Sequence, residues 1–423
     1  MRMLYLCFSL VLLATSAQAA EYQSENLNTG LTEPVSTITL QDALSLALRA
    51  NPEIAVALRE REAIEGVRVQ ATARPNPTIS TMVEDTRRST RQTTLQLAQP
   101  FELGDKRAAR MEAAAARSEA ATAALDAKKS EIHANVIAAF YTVLAAQERV
   151  QLAQATLDIA RQAREAASKR VLAGKISPVD ETKSRVAESG VKIEAGQAAS
   201  ALTAARKRLA ALWGNPLPRF QQADGNVERM QQVPPLETLS SQLDSAPLVK
   251  SARLEIETRQ ALANVESTRR TPDLTVSVGA RRNEELGLNQ AVLGLSIPIP
   301  VFDRNQGNLQ EAISRTDKAR DELTALRVQL ATQLAVAYER LNSAREAAQT
   351  LQTEILPGAQ SAFDAANKGF QFGKFNYLDV LDAQRTLFQA RSQYVNALLE
   401  AHQAVADIKR IVGSGTGSPT IQP

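Results

Sequence analysis

The residues able to do chemistry are few, and they cluster in two short breaks between long alanine-rich stretches. The richer break is Gly369 to Asp382, reading Gly-Phe-Gln-Phe-Gly-Lys-Phe-Asn-Tyr-Leu-Asp-Val-Leu-Asp. Gly373 suits a left-handed helix end, and Asn376 suits a cap for the helix that follows. Asp379 and Asp382 then fall one helical turn apart on one face. A carboxylate pair of this kind attracts cations and repels anions wherever several copies converge on a narrow passage. Asp379 also has a purely structural reading, because the third position after a cap meets free amides and the positive helix end. The shorter break, Leu172 to Asp180, carries Gly174, Lys175 and Asp180, and Asp180 fits the same capping description after Ser177-Pro178. Asp382 lies past the first turn, so no capping duty explains it.

Other reactive groups are sparse. His133 and His402 are the only histidines, each alone on a long helix without a ligand-spaced neighbour, so both read as packing or surface residues. The single cysteine, Cys7, lies in an N-terminal apolar segment, which leaves no disulfide, thiol catalyst or lipid-bearing cysteine beyond it. No phosphate loop, nucleophile elbow or metal-hydrolase motif occurs. The sequence therefore points away from an enzyme, a cofactor and a tight metal site. With 49 basic and 46 acidic side chains and a net charge of +3, it also points away from nucleic acid as a partner. Arg87, Arg88 and Arg91 read as a solvated loop, and Trp213 as a packing anchor.

The elements that must position the two breaks are long helices. Residues 1–19 have the form of a secretory signal, with Arg2, an apolar run from Leu4 to Ala14, and Ala17-Gln18-Ala19 as the cleavage site. An extension follows over 20–38. Thr39-Leu40-Gln41-Asp42 opens a helix toward Ala73, with Asn51-Pro52 as a kink or restart. Segments 78–84 and 93–101 then alternate with period two, which predicts a β-hairpin over 78–101. From Asp105 to Ala173 neither proline nor glycine appears, predicting one helix of about 100 Å. Its seam repeats by heptads through Val136, Val143, Val150 and Leu157, with alanines three positions on, the pattern of a thin coiled coil. A helix over 178–213 and a proline-rich linker over 214–238 complete the first half.

The second half repeats the first over 239–412. It reads as a helix, a hairpin over 273–300, a long helix over 306–372, a tip at Gly373, a helix over 376–412 and a flexible tail over 413–423. The seam of the second long helix is expected through Ala337, Leu341, Ala344, Ala348, Leu351, Ile355, Ala362 and Gly369, with a local kink at Pro357. Landmarks of different kinds keep one spacing: Pro100 with Pro300, Tyr141 with Tyr338, Gly174-Lys175 with Gly373-Lys374, Asp180 with Asp379. The separation of about two hundred residues indicates an internal duplication.

Four strands of about nine residues suit a tilted membrane crossing, yet four strands cannot close a barrel, and open edges are not tolerated in lipid. The expected fold is therefore mainly α with a transmembrane β-barrel. A homotrimer would form a barrel of about twelve strands, extended by a coiled-coil helical tube.

This layout resembles the TolC family of outer-membrane efflux ducts over essentially the whole chain after the signal. The matching residues are Leu46-Ala47-Leu48 with Asn51-Pro52, Arg74-Pro75-Asn76-Pro77, Gln99-Pro100-Phe101, and Gly373 through Leu381-Asp382-Ala383. Within the family, Phe101-Glu102-Leu103-Gly104-Asp105-Lys106-Arg107 is most similar to the CzcC-type heavy-metal branch, although that branch commonly has glycine where Asp105 stands. The resemblance implies a homotrimer in the Gram-negative outer membrane, in contact with its lipid, with helices reaching into the periplasm. It implies a periplasmic adaptor and an inner-membrane proton-driven efflux pump as partners, and passive conduction of divalent heavy-metal cations. It places the acidic gate on Asp379 and Asp382, and adaptor contacts at Gly174, Lys175, Asp180, Gly373, Lys374 and Phe375. Phe375 stands where the family keeps a latch arginine, so the family's closing network does not carry over intact. Many CzcC-type relatives begin with a lipidated cysteine; here the barrel is expected to anchor the chain alone. A duct for drugs or secreted polypeptides and a periplasmic coiled-coil structural protein are the alternatives.

Overall fold

A computed structural model describes residues 33–375 and 377–413, the side chains of residues 377 and 378 excepted. The signal over 1–19, most of the 20–38 extension, the Asn376 cap and the tail from 414 onward lie outside the described residues.

The chain opens with β1 (Thr37–Thr39), α1 (Leu40–Ala50) and α2 (Pro52–Ala71). The capping box forms, with Thr39 and Asp42 exchanging side chain to backbone bonds. Asn51 is extended and splits the expected single helix in two. Its side-chain oxygen accepts from the amides of Glu53 and Ile54 at 2.8 and 3.0 Å, so of the expected kink or restart the chain makes the restart, with a fresh cap and Pro52 at the first helical position.

Strands β2 (Thr78–Glu84) and β3 (Gln92–Phe101) follow, then α3 (Lys106–Leu172) and α4 (Pro178–Ala211). Helix α3 runs unbroken for 67 residues. Its seam packs as the heptads require: Val136, Val143, Leu157, Ala146, Ala153, Ala160 and Ala167 are buried, while Ala139 and Val150 are half-buried.

The stretch expected to be a plain linker is folded onto the helices. It contains β4 (Gln222–Asp224), which pairs in parallel with β1 through Thr37–Gln222, Ile38–Ala223 and Thr39–Asp224. Gln147 of α3 reaches β4 with both side-chain atoms, donating to the Ala223 carbonyl at 3.0 Å and accepting from its amide at 2.7 Å. Glu33 is buried and accepts from Trp213 Nε1, Asn215 Nδ2 and the amides of Arg219 and Phe220. Trp213 packs near Phe220 in the same core as Phe140, the anchor role its position suggested.

Next come α5 (Leu236–Gln242), a short turn at Leu243–Ser245, and α6 (Pro247–Thr268). The helix expected from 239 up to the second hairpin is thus interrupted before Pro247, which has no amide hydrogen to continue it. Strands β5 (Leu274–Asn283) and β6 (Leu288–Ser296) lie within the expected hairpin over 273–300, leaving only 284–287 between them. After them stand α7 (Gln306–Thr350), α8 (Leu356–Gln371) and α9 (Tyr377–Val412).

Strands β2, β3, β5 and β6 form one antiparallel sheet in that order, so β2 and β6 are its two edges. The register aligns Ile79 with Leu97, Leu97 with Val278, and Val278 with Leu293. Thr81, Leu95, Ala280 and Ala291 form the next row on that face. This face is apolar and uncovered, with Leu293 81% exposed and Ile79 73%. The opposite face carries Glu84, Thr94, Gln96, Ser277 and Arg281, and Arg281 Nε donates to Thr94 Oγ1 at 3.1 Å. An apolar face toward solvent and a polar face behind it invert a soluble sheet. Among the described residues, no helix is long and apolar enough to cross a membrane.

The kink expected at Pro357 is a π turn over Leu351–Ile355, in which the Leu356 amide donates to the Leu351 carbonyl. Proline cannot bond back to residue 353 and its ring crowds that carbonyl; widening the turn by one residue relieves both. The inserted residue shifts the seam. Beyond Leu351 the buried positions are Ala359, Phe363, Ala366 and Phe370, one past the expected set, whereas Ile355 and Ala362 are exposed.

Candidate functional site

The two tips share one backbone device. At the first, Gly174 adopts φ +69°, its amide donates to the Val171 carbonyl at 2.9 Å, and the Lys175 amide donates to the Arg170 carbonyl at 2.9 Å. At the second, Gly373 adopts φ +75°, with matching bonds from Gly373 to Phe370 at 3.0 Å and from Lys374 to Gly369 at 2.8 Å. This is the Schellman closure, and the left-handed residue in it is glycine because a Cβ would be strained there. Both glycines face open space, so conformation and not room selects them.

Ser177 caps α4, accepting from the Val179 amide at 3.2 Å, with Pro178 at the first helical position and Asp180 half-buried in the first turn. Asp379 occupies the first turn of α9 and is exposed; the expected Asn376 cap lies outside the described residues. Gly174, Lys175, Gly373 and Lys374 are all exposed. Phe375 is half covered, its ring lying against Gly369, where any Cβ would fall 2.1 Å from the ring.

Asp382 is exposed and lines a groove between α3, α4 and α9. Leu381, Val186 and Gly190 form part of its walls, with Glu194, Arg385 and Gln384 beside them. Gln384 is buried and donates to the Thr156 carbonyl at 3.2 Å, fixing α9 against α3. On the α4 side, Glu188 takes Arg164 at 2.6 Å and Arg161 at 3.8 Å.

The residue that ties the tips together is Arg170, which sequence reasoning passed over. Its Nη2 donates to the Phe370 carbonyl at 2.7 Å, and its guanidinium lies 3.9 Å from the centroid of the Phe370 ring. Arg170 thus binds the first tip to the second through one charge-assisted bond and one cation–π contact. The only signal available was its place four residues before Gly174, as Phe370 stands three before Gly373. Recognising the pair also required the π turn, which brings Phe370 onto the buried seam.

The histidines are packing residues. His402 is buried, stacked on Tyr141 with centroids 3.5 Å apart, and its Nε2 lies 2.7 Å from the Val227 carbonyl. Burial lowers the pKa of both histidines from the ordinary value, with Lys409 adding to the effect at His133. Both are therefore neutral at pH 7. Among the described residues, no group of three or more histidines, cysteines or carboxylates could hold a metal ion.

Comparison with known proteins places this architecture. The model of the outer membrane efflux protein family matches residues 43–215 and 238–414. The chain is 48% identical over 381 residues to the cobalt-zinc-cadmium resistance protein CzcC of Cupriavidus metallidurans, spanning 90% of this chain and 91% of that one. Among solved structures, CusC superposes with a TM-score of 0.75 at 19% identity, covering 89% of this chain and 92% of CusC. The outer membrane protein VceC of Vibrio cholerae superposes with a TM-score of 0.74 at 19% identity, over 88% of this chain and 96% of VceC. The fold is that of the TolC-like channels, and the chain belongs to the outer membrane efflux protein family.

Proposed function

We propose that three copies of this chain form a duct through the outer membrane, and that the duct passively conducts divalent heavy-metal cations. Its cargo would come from an inner-membrane proton-driven pump through a periplasmic adaptor. The observation that carries the reading is the four-stranded sheet, whose apolar face is uncovered and whose edges β2 and β6 are unpaired within the chain. In lipid an open edge is prohibitively costly, so edges must join between chains; three copies supply about twelve strands, a common barrel size. The polar face bearing Arg281, Glu84 and Gln96 would then line the lumen. The two repeats, 39–213 and 239–412, would make the helical tube below it pseudo-sixfold.

The metal cargo rests on the 48% identity to a protein named for cobalt, zinc and cadmium resistance. Deleting the gene should sensitise the host to one or more of zinc, cobalt, cadmium, nickel, copper and silver, and the intact chain should restore growth. Unchanged growth across all six metals, with the rest of the pump system present, would refute metal efflux.

Within the duct, Asp379 and Asp382 would form an acidic ring of about six carboxylates at the mouth, favouring cations. The exposed tip residues Gly174, Lys175, Gly373, Lys374 and Phe375, with Asp180 beside them, would meet the adaptor. Replacing Asp379 and Asp382 together by asparagine should lower the cation-to-anion permeability ratio of the purified trimer in planar bilayers by about tenfold, if the ring as a whole loses about 1.4 kcal/mol of cation attraction. Block by multivalent cations should weaken in parallel. An unaltered reversal potential in a salt gradient would remove both residues from the gate.

A further inference from the structure

Along the second hairpin, the apolar alternation continues past the point where strand pairing stops. β6 ends at Ser296, yet Ile297, Ile299 and Val301 extend the outward set of Leu293 and Leu295. Ile299 is 83% exposed. Pro298 and Pro300 fill the alternate positions and bring no amide hydrogen, which lowers the cost of running this backbone unpaired beside lipid. The Val301 amide donates to the Ile299 carbonyl at 2.9 Å, turning the chain toward α7. Phe302 follows, 93% exposed.

With Val301, Leu309 and Ile313, Phe302 lines a cleft of about 800 Å³ that also carries Arg270 and Arg304. Neither arginine joins an ion pair among the described residues, although Arg304 Nε donates to the Pro300 carbonyl at 3.3 Å. Apolar floor and cationic rim thus sit together at the junction of sheet and helices.

We propose that this cleft binds an acidic phospholipid of the leaflet nearer the helices. Its acyl chain would lie along Phe302, Leu309 and Ile313, and its phosphate would sit at Arg270 and Arg304. The proposal rests on the barrel reading above. Three features favour lipid as the occupant. The floor is continuous with the apolar face of the sheet; an exposed aromatic at the barrel's edge matches the interfacial belt of membrane barrels; and guanidinium forks match phosphate geometry.

The test adds one tryptophan at a time to the full-length trimer, reconstituted in phosphatidylethanolamine vesicles with a minor share of phosphatidylglycerol. Bromine is carried on the acyl chains of one lipid or the other. Trp213, buried in the core, supplies a constant background. Leu293→Trp reports the sheet face and Phe302→Trp reports the cleft. Both should be quenched. Brominated phosphatidylglycerol should quench Phe302→Trp roughly 30-fold more per mole than brominated phosphatidylethanolamine, at about 1 kcal/mol for each of the two arginines near the surface. Adding Arg270→Gln and Arg304→Gln should abolish that preference and leave quenching at Leu293→Trp unchanged. Quenching at Leu293→Trp without quenching at Phe302→Trp would mean that a second copy covers the cleft, and overturns the proposal while sparing the barrel. Equal quenching of Phe302→Trp by the two lipids overturns the acidic-lipid site. An unquenched Leu293→Trp sinks the barrel and this inference together.

Discussion

Arg170→Ala should loosen the two tips and raise the open fraction of the purified trimer in planar bilayers. The wild-type contact combines a charge-assisted hydrogen bond to the Phe370 carbonyl with a guanidinium stacked on the Phe370 ring. The first is worth about 1.5–3 kcal/mol and the second about 0.5–2 kcal/mol, with partial exposure reducing both. A net loss of about 2 kcal/mol per chain shifts the tip equilibrium roughly 30-fold. Arg170→Lys separates the contributions, since an ammonium keeps the charge but lacks the planar fork and stack, and should fall between the two. If Arg170→Ala trimers keep wild-type conductance and open probability, the contact is a packing detail and the gate lies elsewhere. The Phe375 ring is folded onto Gly369, and the cation at these tips comes from Arg170 on the first hairpin.

Leu293→Arg should all but abolish recovery of folded trimer from the membrane fraction. Leu293 lies mid-strand on β6, on the uncovered apolar face opposite Val278. An arginine on the lipid face of a barrel near the bilayer midplane costs about 2–4 kcal/mol. In the proposed trimer three copies would bring that to roughly 6–12 kcal/mol, comparable with the whole stability of a typical domain. Gln290→Arg is the matched control, because Gln290 pairs with Arg281 on the polar face, where the water-filled lumen of the proposed barrel would solvate another cation. Heat-modifiable gel migration of membrane extracts reads both variants. Recovery of Leu293→Arg trimer at wild-type levels would show that this face does not meet lipid.

Much of this architecture was legible because its signals are periodic. Heptads from Val136 to Leu157 and the absence of helix breakers specify a coiled coil locally, as α3 displays. Alternation along 78–84 and 274–281 specifies which side chains share a face, and the observed register places them together without exception. Gly174 and Gly373 were legible for another reason: a left-handed helix end needs glycine whatever surrounds it, and both positions have positive φ.

What stayed hidden depends on partners far apart in sequence. The linker composition gave no hint that β4 would pair with β1 across more than 180 residues, or that Glu33 would gather donors from residues 213–220. Pro357 announced a disturbance, but the choice between a bend and an inserted residue was made by packing. A π turn returns Ala359, Phe363 and Phe370 to the core against α9, which a simple bend would not do. The sequence by itself determined the helices, the faces of the strands and the two glycine tips, since each follows from local sterics and the burial of apolar periodicity. Only the tertiary structure decided which groups meet at the tips. The one-residue shift at the π turn carries Phe370 onto the buried seam beneath Arg170, and a contact spanning 200 residues leaves no trace in local pattern.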